Sequence, residues 1–329
     1  FKTLESIAIV ILAMKILEEI INRIVVKKKY PELHEIARKD TSMVKMTKDL
    51  AWTQLGYLIL NNVDALLLMG FNGPVMVSIY TTYNYILRFL TEIASRVELS
   101  SVYSFGNVFA KKEEKRVYPL FKEYMMMFIL IAFSMCLTFM IGIRGFVSIW
   151  VGKENYILDY ITVVLFTSTS FLNILYFPLV ALINADGLFK DNKKHIFICA
   201  SVNLILSIIL INYLGINGIL LGTGVAFLVN IALKSNLISK KITKEIKLSN
   251  ILKYYIITII LFVVLSVALK PVENYFLLTA GSFITTILKL GIIFIIITLL
   301  TSLILYVVSN DAKNLFRRLL NLIKRKLKK

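Results

Sequence analysis

Runs of almost uninterrupted apolar residues succeed one another along the chain and leave little freedom about its fold. A run of about 20 residues, rising ~1.5 Å per residue as a helix, crosses the ~30 Å hydrocarbon core of a bilayer. Inside that core only helices and closed barrels satisfy their own backbone polar groups. A barrel would read as segments of about ten residues with alternating polarity, and the sequence has no such alternation. With 58% apolar residues, against about 45–50% in soluble domains, the chain reads as all-α, a polytopic membrane protein with nine transmembrane helices. The runs fall near residues 7–26, 50–69, from 74 onward, 124–143, 160–182, 196–213, 216–232, 251–269 and within 283–308.

The net charge of +18 would by itself suit nucleic acid. Its distribution excludes that partner. Lys and Arg gather after the first, third, fifth and seventh runs and in the tail, which is the positive-inside pattern. It puts those segments and the C-terminus in the cytoplasm and, counting back nine helices, the N-terminus outside. A chain that starts outside at Phe1, with no signal peptide ahead of the first run, is expected to be an N-terminally truncated protein. Cys136 and Cys199 both lie in apolar runs, where a thiol serves as a small hydrophobe. The two histidines sit in polar segments, so neither a metal site nor a cofactor is expected.

The most informative run begins at Pro74. Within it Tyr80, Asn84, Arg88, Glu92 and Arg96 recur every fourth residue and so share one slowly drifting helix face. Charges inside a span are costly and mark a bundle interior or a watery cavity. At ~1.5 Å per residue Arg88 lies about 20 Å deep, whereas Arg96 at about 33 Å has reached the far interface and snorkels there. Tyr80, Asn84 and Arg88 are therefore the candidate binding group, with Glu92 a charge partner for one of the arginines.

Other polar residues inside the runs carry two readings each. Lys15 sits about 12 Å into the first run; it either faces a cavity or pairs locally, as Glu19 and Arg23 can at i,i+4. Asn61 and Asn62 in the second run either bind ligand or join helices. Asp64 beside them is an ion-coupling carboxylate, a partner for Arg88, or a group hydrated near the outer face. Pro178 is placed to kink the fifth run. Gly218 and Gly222 form a G-x-x-x-G pair that lets helices approach. Lys289 suits snorkelling to the outer interface. The tail puts Leu315, Phe316, Leu319, Leu320, Ile323 and Leu327 on one side among basic residues, the pattern of a helix lying on an anionic leaflet.

The stretch NNVDALLLMG, a short turn, VSIY and an Arg-bearing helix resemble the oligosaccharide repeat-unit flippases of O-antigen and capsule synthesis. The block FLNILYFPLVALINADGLFKDNKKHIFICASVNLILSIILINYLGINGILLGTGVAFLVN resembles their C-terminal half, above all in the polar turn after Pro178 and in GINGILLGTG. These flippases belong to the multidrug/oligosaccharidyl-lipid/polysaccharide exporter superfamily, which usually has fourteen helices and both termini in the cytoplasm. Counted from the C-terminus, the nine runs correspond to helices six to fourteen.

The resemblance implies four regions. Residues 1–49 hold the last helix of the absent N-terminal lobe and a cytoplasmic linker, and residues 50–234 a six-helix C-terminal lobe. Two additional helices follow over 235–308, then a basic amphipathic tail over 309–329. It also implies a non-enzymatic transporter of the bacterial cytoplasmic membrane, whose lobes rock about a cationic cavity to turn over a polyprenyl-diphosphate-linked oligosaccharide. A diphosphate suits the planar fork of Arg88; a sugar suits Asn and Tyr. The implied substrate-binding set is Arg88, Asn84, Tyr80, Lys15, Asn61 and Asn62, with Asp64, Glu92 and Glu19 as ion-coupling or charge partners. Membrane lipids, and the polymerase and other proteins of the same pathway, are the expected partners. Two other expectations remain open. A cation-coupled multidrug antiporter of the same superfamily would favour acidic and aromatic cavities over an Arg-bearing one. A non-transporting scaffold of a polysaccharide assembly complex would depend on the tail rather than on Arg88.

Overall fold

A computed structural model describes residues 4–29, 41–242 and 247–327. It is helical throughout, with no strand among the described residues. The chain forms two compact units, Phe1–Thr47 and Lys48–Lys329. The first contains α1 (Leu4–Lys29), whose charges pair along their own helix: Lys15 with Glu18 at 2.8 Å and Arg23 with Glu19 at 3.1 Å.

Seven helical stretches among the described residues are long and apolar enough to cross a membrane, where nine spans were expected. Two features account for the difference. α1 carries Lys15, Glu18, Glu19 and Arg23 through its middle and is not among the seven. The expected second and third spans fall within one stretch, Leu50–Ala110, part of α2 (Thr41–Ala110).

α2 is a hairpin of two arms. At Gly73 the backbone takes φ 80° and ψ 177°, a conformation essentially reserved for glycine. Pro74 then starts the second arm, where a missing N–H costs nothing. Sixteen residues of straight helix would span about 24 Å, yet Tyr80 donates to Asp64 across the fold at 3.2 Å. Residues 48–72 and 74–110 are therefore neighbouring antiparallel arms.

The core of the second unit is α3 (Val117–Trp150), which contributes more buried residues than any other element. Against it pack α4 (Tyr160–Leu175), α5 (Phe177–Ala185), α8 (Leu248–Ala268) and α9 (Lys270–Leu278). The break between α4 and α5 is the expected work of Pro178. Leu179 N bonds Tyr176 O instead of Leu175 O, and the freed Leu175 carbonyl accepts from the Tyr255 hydroxyl at 2.8 Å. α6 (Phe189–Leu214) and α7 (Ile216–Lys241) form the closest pair, joined at Gly215 with φ 54°. Their approach explains the glycine pair. A Cβ at Gly222 would lie 2.5 Å from Ser207 Oγ and 3.0 Å from Ser207 N, and one at Gly218 would overlap the Leu210 carbonyl.

α10 (Phe283–Val308) leaves nearly all of its apolar surface open and rests on α3, with Leu290 over Gly142. Lys289 turns back to donate to the Thr279 carbonyl at 2.7 Å. α9, unforeseen in the sequence, is amphipathic; its buried Glu273 receives Arg144 Nη1 of α3 at 3.1 Å on both carboxylate oxygens. The start of α11 (Asn310–Leu327) docks on protein rather than lying free: Ala312 and Leu315 are buried, Asp311 pairs with Lys122 at 2.8 Å and Arg318 with Glu123 at 3.0 Å. Leu320 stays exposed, while the side chains of Leu319, Ile323 and Leu327 lie outside the described residues.

Candidate functional site

The polar stripe of the second α2 arm meets three other surfaces around one cavity of about 60 Å³. Tyr80, Asn84, Arg88 and Thr91 come from that arm, and Leu60 and Asp64 from the first arm. α4 contributes Phe166, Thr169, Ser170 and Asn173; α7 contributes Leu220, Thr223 and Phe227. The spacing i, i+3, i+4, i+7 along α4 and i, i+3, i+7 along α7 is that of a single helix face. A volume of this size holds a few waters, each needing at least about 10–15 Å³ of such space.

The stripe changes character along its length. Tyr80 is buried, Asn84 half-buried, and Arg88, Glu92 and Arg96 are exposed. Tyr80 is fully committed: its hydroxyl donates to Asp64 and its ring lies 5.2 Å from that of Phe166. It positions the carboxylate more than it offers itself to a ligand. Arg88 stands at the open side of the cavity, and no carboxylate pairs with it among the described residues.

Asp64 is only 4% exposed. Its Oδ2 accepts from Tyr80 and, at 3.0 Å, from Thr223 Oγ1. The same Thr223 hydroxyl lies 3.2 Å from Asn203 Oδ1, which also accepts from Ser207 Oγ at 3.0 Å. Asn203 Nδ2 donates to the Leu60 carbonyl at 3.3 Å. Thr223 thus has one proton between two acceptors, and Asp64 Oδ1 accepts no hydrogen bond among the described residues. Asp64 is not the partner of Arg88; the hydroxyls of Tyr80 and Thr223 hold it instead. Four side chains from four helical segments converge here. They suit a bound proton or a small cation, since a buried carboxylate requires compensation.

The other expected residues fall elsewhere. Asn62 is exposed and donates to its own-helix carbonyl of Leu58 at 2.7 Å, and the Asn61 side chain lies outside the described residues. Glu92 makes no ion pair with Arg88 or Arg96 among the described residues. Lys15 and Glu19 belong to the first unit, each already paired on α1.

The α4 contribution was missed because Thr167-Ser-Thr-Ser170 passes for ordinary apolar span. Thr167, Ser168 and Thr169 bond carbonyls three or four residues back on their own helix, which removes the cost of their polarity. The signal that could have revealed it was the shared face of Thr169, Ser170 and Asn173. No group of three His, Cys, Asp or Glu poised for a metal occurs among the described residues. Comparison of the chain with protein-family models, curated proteins and solved structures yields no match.

Proposed function

We propose that the chain is part of a membrane flippase that translocates polyprenyl-diphosphate-linked oligosaccharide units for surface-polysaccharide synthesis, with Arg88 receiving the diphosphate. The observation that carries this is the open-sided placement of Arg88 beside Asn84, Thr169, Ser170 and Asn173. A cation with no carboxylate partner among the described residues, flanked by amides and hydroxyls, has the complement of a diphosphate joined to a sugar. The cavity itself admits only water, so these residues act as one wall of a larger site that opens during transport.

The test is Arg88→Ala in a strain that depends on this protein for its surface polysaccharide. Polysaccharide is lost at unchanged membrane abundance; normal polysaccharide would refute the assignment. Arg88→Lys retains the charge without the fork and restores part of the activity.

Asp64 favours a second reading, a cation-coupled drug antiporter, because a buried carboxylate in a cavity wall suits ion coupling. Resistance conferred on a drug-sensitised strain, lost in Asp64→Asn and kept in Arg88→Ala, distinguishes it from the flippase.

A further inference from the structure

Three helices carry matching stripes of buried polar groups that reach well beyond the cavity. On the first arm of α2, Thr53, Tyr57 and Asp64 stand at i, i+4 and i+11; on α7, Thr223, Asn230 and Lys234 stand at i, i+7 and i+11. On α6, Asn192, Cys199, Asn203 and Ser207 repeat at i, i+7, i+11 and i+15. Each set returns to one helix face. Asn192, Asn203, Asn230 and Lys234 are all 0–1% exposed.

The stripes face one another and form a seam. At one end lies the Asp64, Thr223, Asn203 and Ser207 cluster. At the other, Lys234 Nζ donates to Asn192 Oδ1, and the Tyr57 hydroxyl lies beside Asn192 and Tyr176. Glu98 of the second α2 arm faces both tyrosines, and Cys199 and His195 of α6 face Lys234. Asp191, Lys194 and Lys241 lie around His195, and Arg88 lies beside Tyr80. Lys234 follows the seventh apolar run, but α7 continues to Lys241 and buries it completely. No carboxylate pairs with it among the described residues.

Several buried atoms along the seam have no hydrogen-bond partner among the described residues: Asp64 Oδ1, both amide atoms of Asn230 and His195 Nδ1. Buried polar atoms are nearly always paired, commonly with internal water, and each exception requires a cause. We propose that the seam is a hydrated proton path joining Asp64 to the end of the bundle that carries Lys234, the end the charge asymmetry assigns to the cytoplasm. A hydronium at that end gives a proton to the chain of waters and polar groups. The last member delivers a proton to Asp64 Oδ1, forming an O–H bond and discharging the carboxylate, and every intermediate donor regains the proton it gave. No electron moves, and release is the reverse. Lys234 makes the path selective. Its ammonium repels metal cations, whereas a proton passes when the ammonium gives one inward and takes another from outside.

The inference deepens the coupling part of the proposed function and rests on Asp64 as the coupling group, but not on the identity of the transported molecule. The full chain, reconstituted in phosphatidylethanolamine–phosphatidylglycerol vesicles, is followed by infrared spectroscopy. Two bands are read: the carboxyl band lost in Asp64→Asn, after a pH drop, and the thiol bands during transfer to D₂O. Cys136, buried in the apolar core on α3, is the internal control for Cys199 on the seam; single Cys→Ser variants assign the bands. Cys199 exchanges well ahead of Cys136, and Asp64 protonates promptly. Asn230→Leu and Lys234→Met slow that protonation by about tenfold, the factor of one lost hydrogen-bonded relay. Asn230→Ser, which keeps a hydroxyl in the path, leaves it near wild type.

Equal exchange at the two thiols overturns the proposal, as does wild-type protonation of Asp64 in both blocking variants. The thiol comparison needs only unblocked protein and decides the matter even if a blocking variant fails to fold. Loss of polysaccharide in Arg88→Ala with these bands unmoved, or the reverse, separates failure of the path from failure of the flippase assignment.

Discussion

Replacing Arg144 with Met should expose the balance that fixes α9 to the core. Glu273 is fully buried, and both its oxygens accept from Arg144 Nη1 at 3.1 Å. Burial pushes the Glu273 carboxyl above its ordinary range, and the guanidinium pulls it back only in part. Breaking a buried pair from one side typically costs 3–5 kcal/mol, because a buried charge is left unpaired. The Arg144 side chain is 17% exposed and retains some solvent, so the lower figure, about 3 kcal/mol, applies near pH 7.5. At about 2 °C per kcal/mol for a unit of this size, the variant should melt about 6 °C lower in detergent at a fixed scan rate. The sign of the pH dependence follows from the raised carboxyl. Its stabilising contribution is present below its unfolded value of about 4.3 and is lost as pH rises through the higher folded value. Without Arg144 the folded value rises further, so the deficit grows with pH and shrinks in acid, where protonated Glu273 no longer needs a cation. Arg144→Met with Glu273→Leu should recover most of the stability at pH 7.5. A single variant as stable as wild type at pH 7.5, or one with the same deficit at all pH values, would refute this account.

Two further outcomes follow from packing. Gly222→Val, which drives branched carbon into Ser207 of α6, should cost about 1–3 kcal/mol or more through overpacking; unchanged thermal stability would show that the helices part freely. Asp311→Asn removes the partner of Lys122 and should loosen α11, raising the rate of trypsin cleavage at Lys313 about fivefold for a loss of ~1 kcal/mol; an unchanged rate would show that Ala312 and Leu315 hold the helix without the ion pair.

Much of this architecture was legible because lipid-spanning helices advertise themselves by length and apolarity. The kink at Pro178, the close approach at Gly218 and Gly222, and the gathering of Tyr80, Asn84 and Arg88 on one cavity wall follow from local rules of spacing and sterics. What was not legible depended on partners distant in sequence. Asp64 could have met Arg88 on charge alone; only the fold brings Thr223, 159 residues away, to its oxygen. Thr169 and Ser170 conceal their polarity by bonding their own helix. Lys234 follows a long apolar run and reads as the beginning of a loop, because nothing local tells that Asn192 of α6 will receive its ammonium. The count of spans differs at α1, a charged helix that pairs with itself, while the two spans expected around Gly73 are the two arms of one hairpin inside a single long apolar stretch.

The turn at Gly73 also orders events during synthesis. The two arms of α2 form the first hairpin of the second unit, so Asp64, Tyr80 and Arg88 arrive together, already in register. Thr223 is made about 135 residues after Arg88, which at ~5–20 residues per second is a delay on the order of ten seconds. For that interval Tyr80 is the hydroxyl the hairpin itself supplies to Asp64. The nascent hairpin must therefore keep the carboxyl protonated, or carry water with it, until α6 and α7 arrive. The helix that completes the site also relieves the first hairpin of a burden it has carried since it left the ribosome.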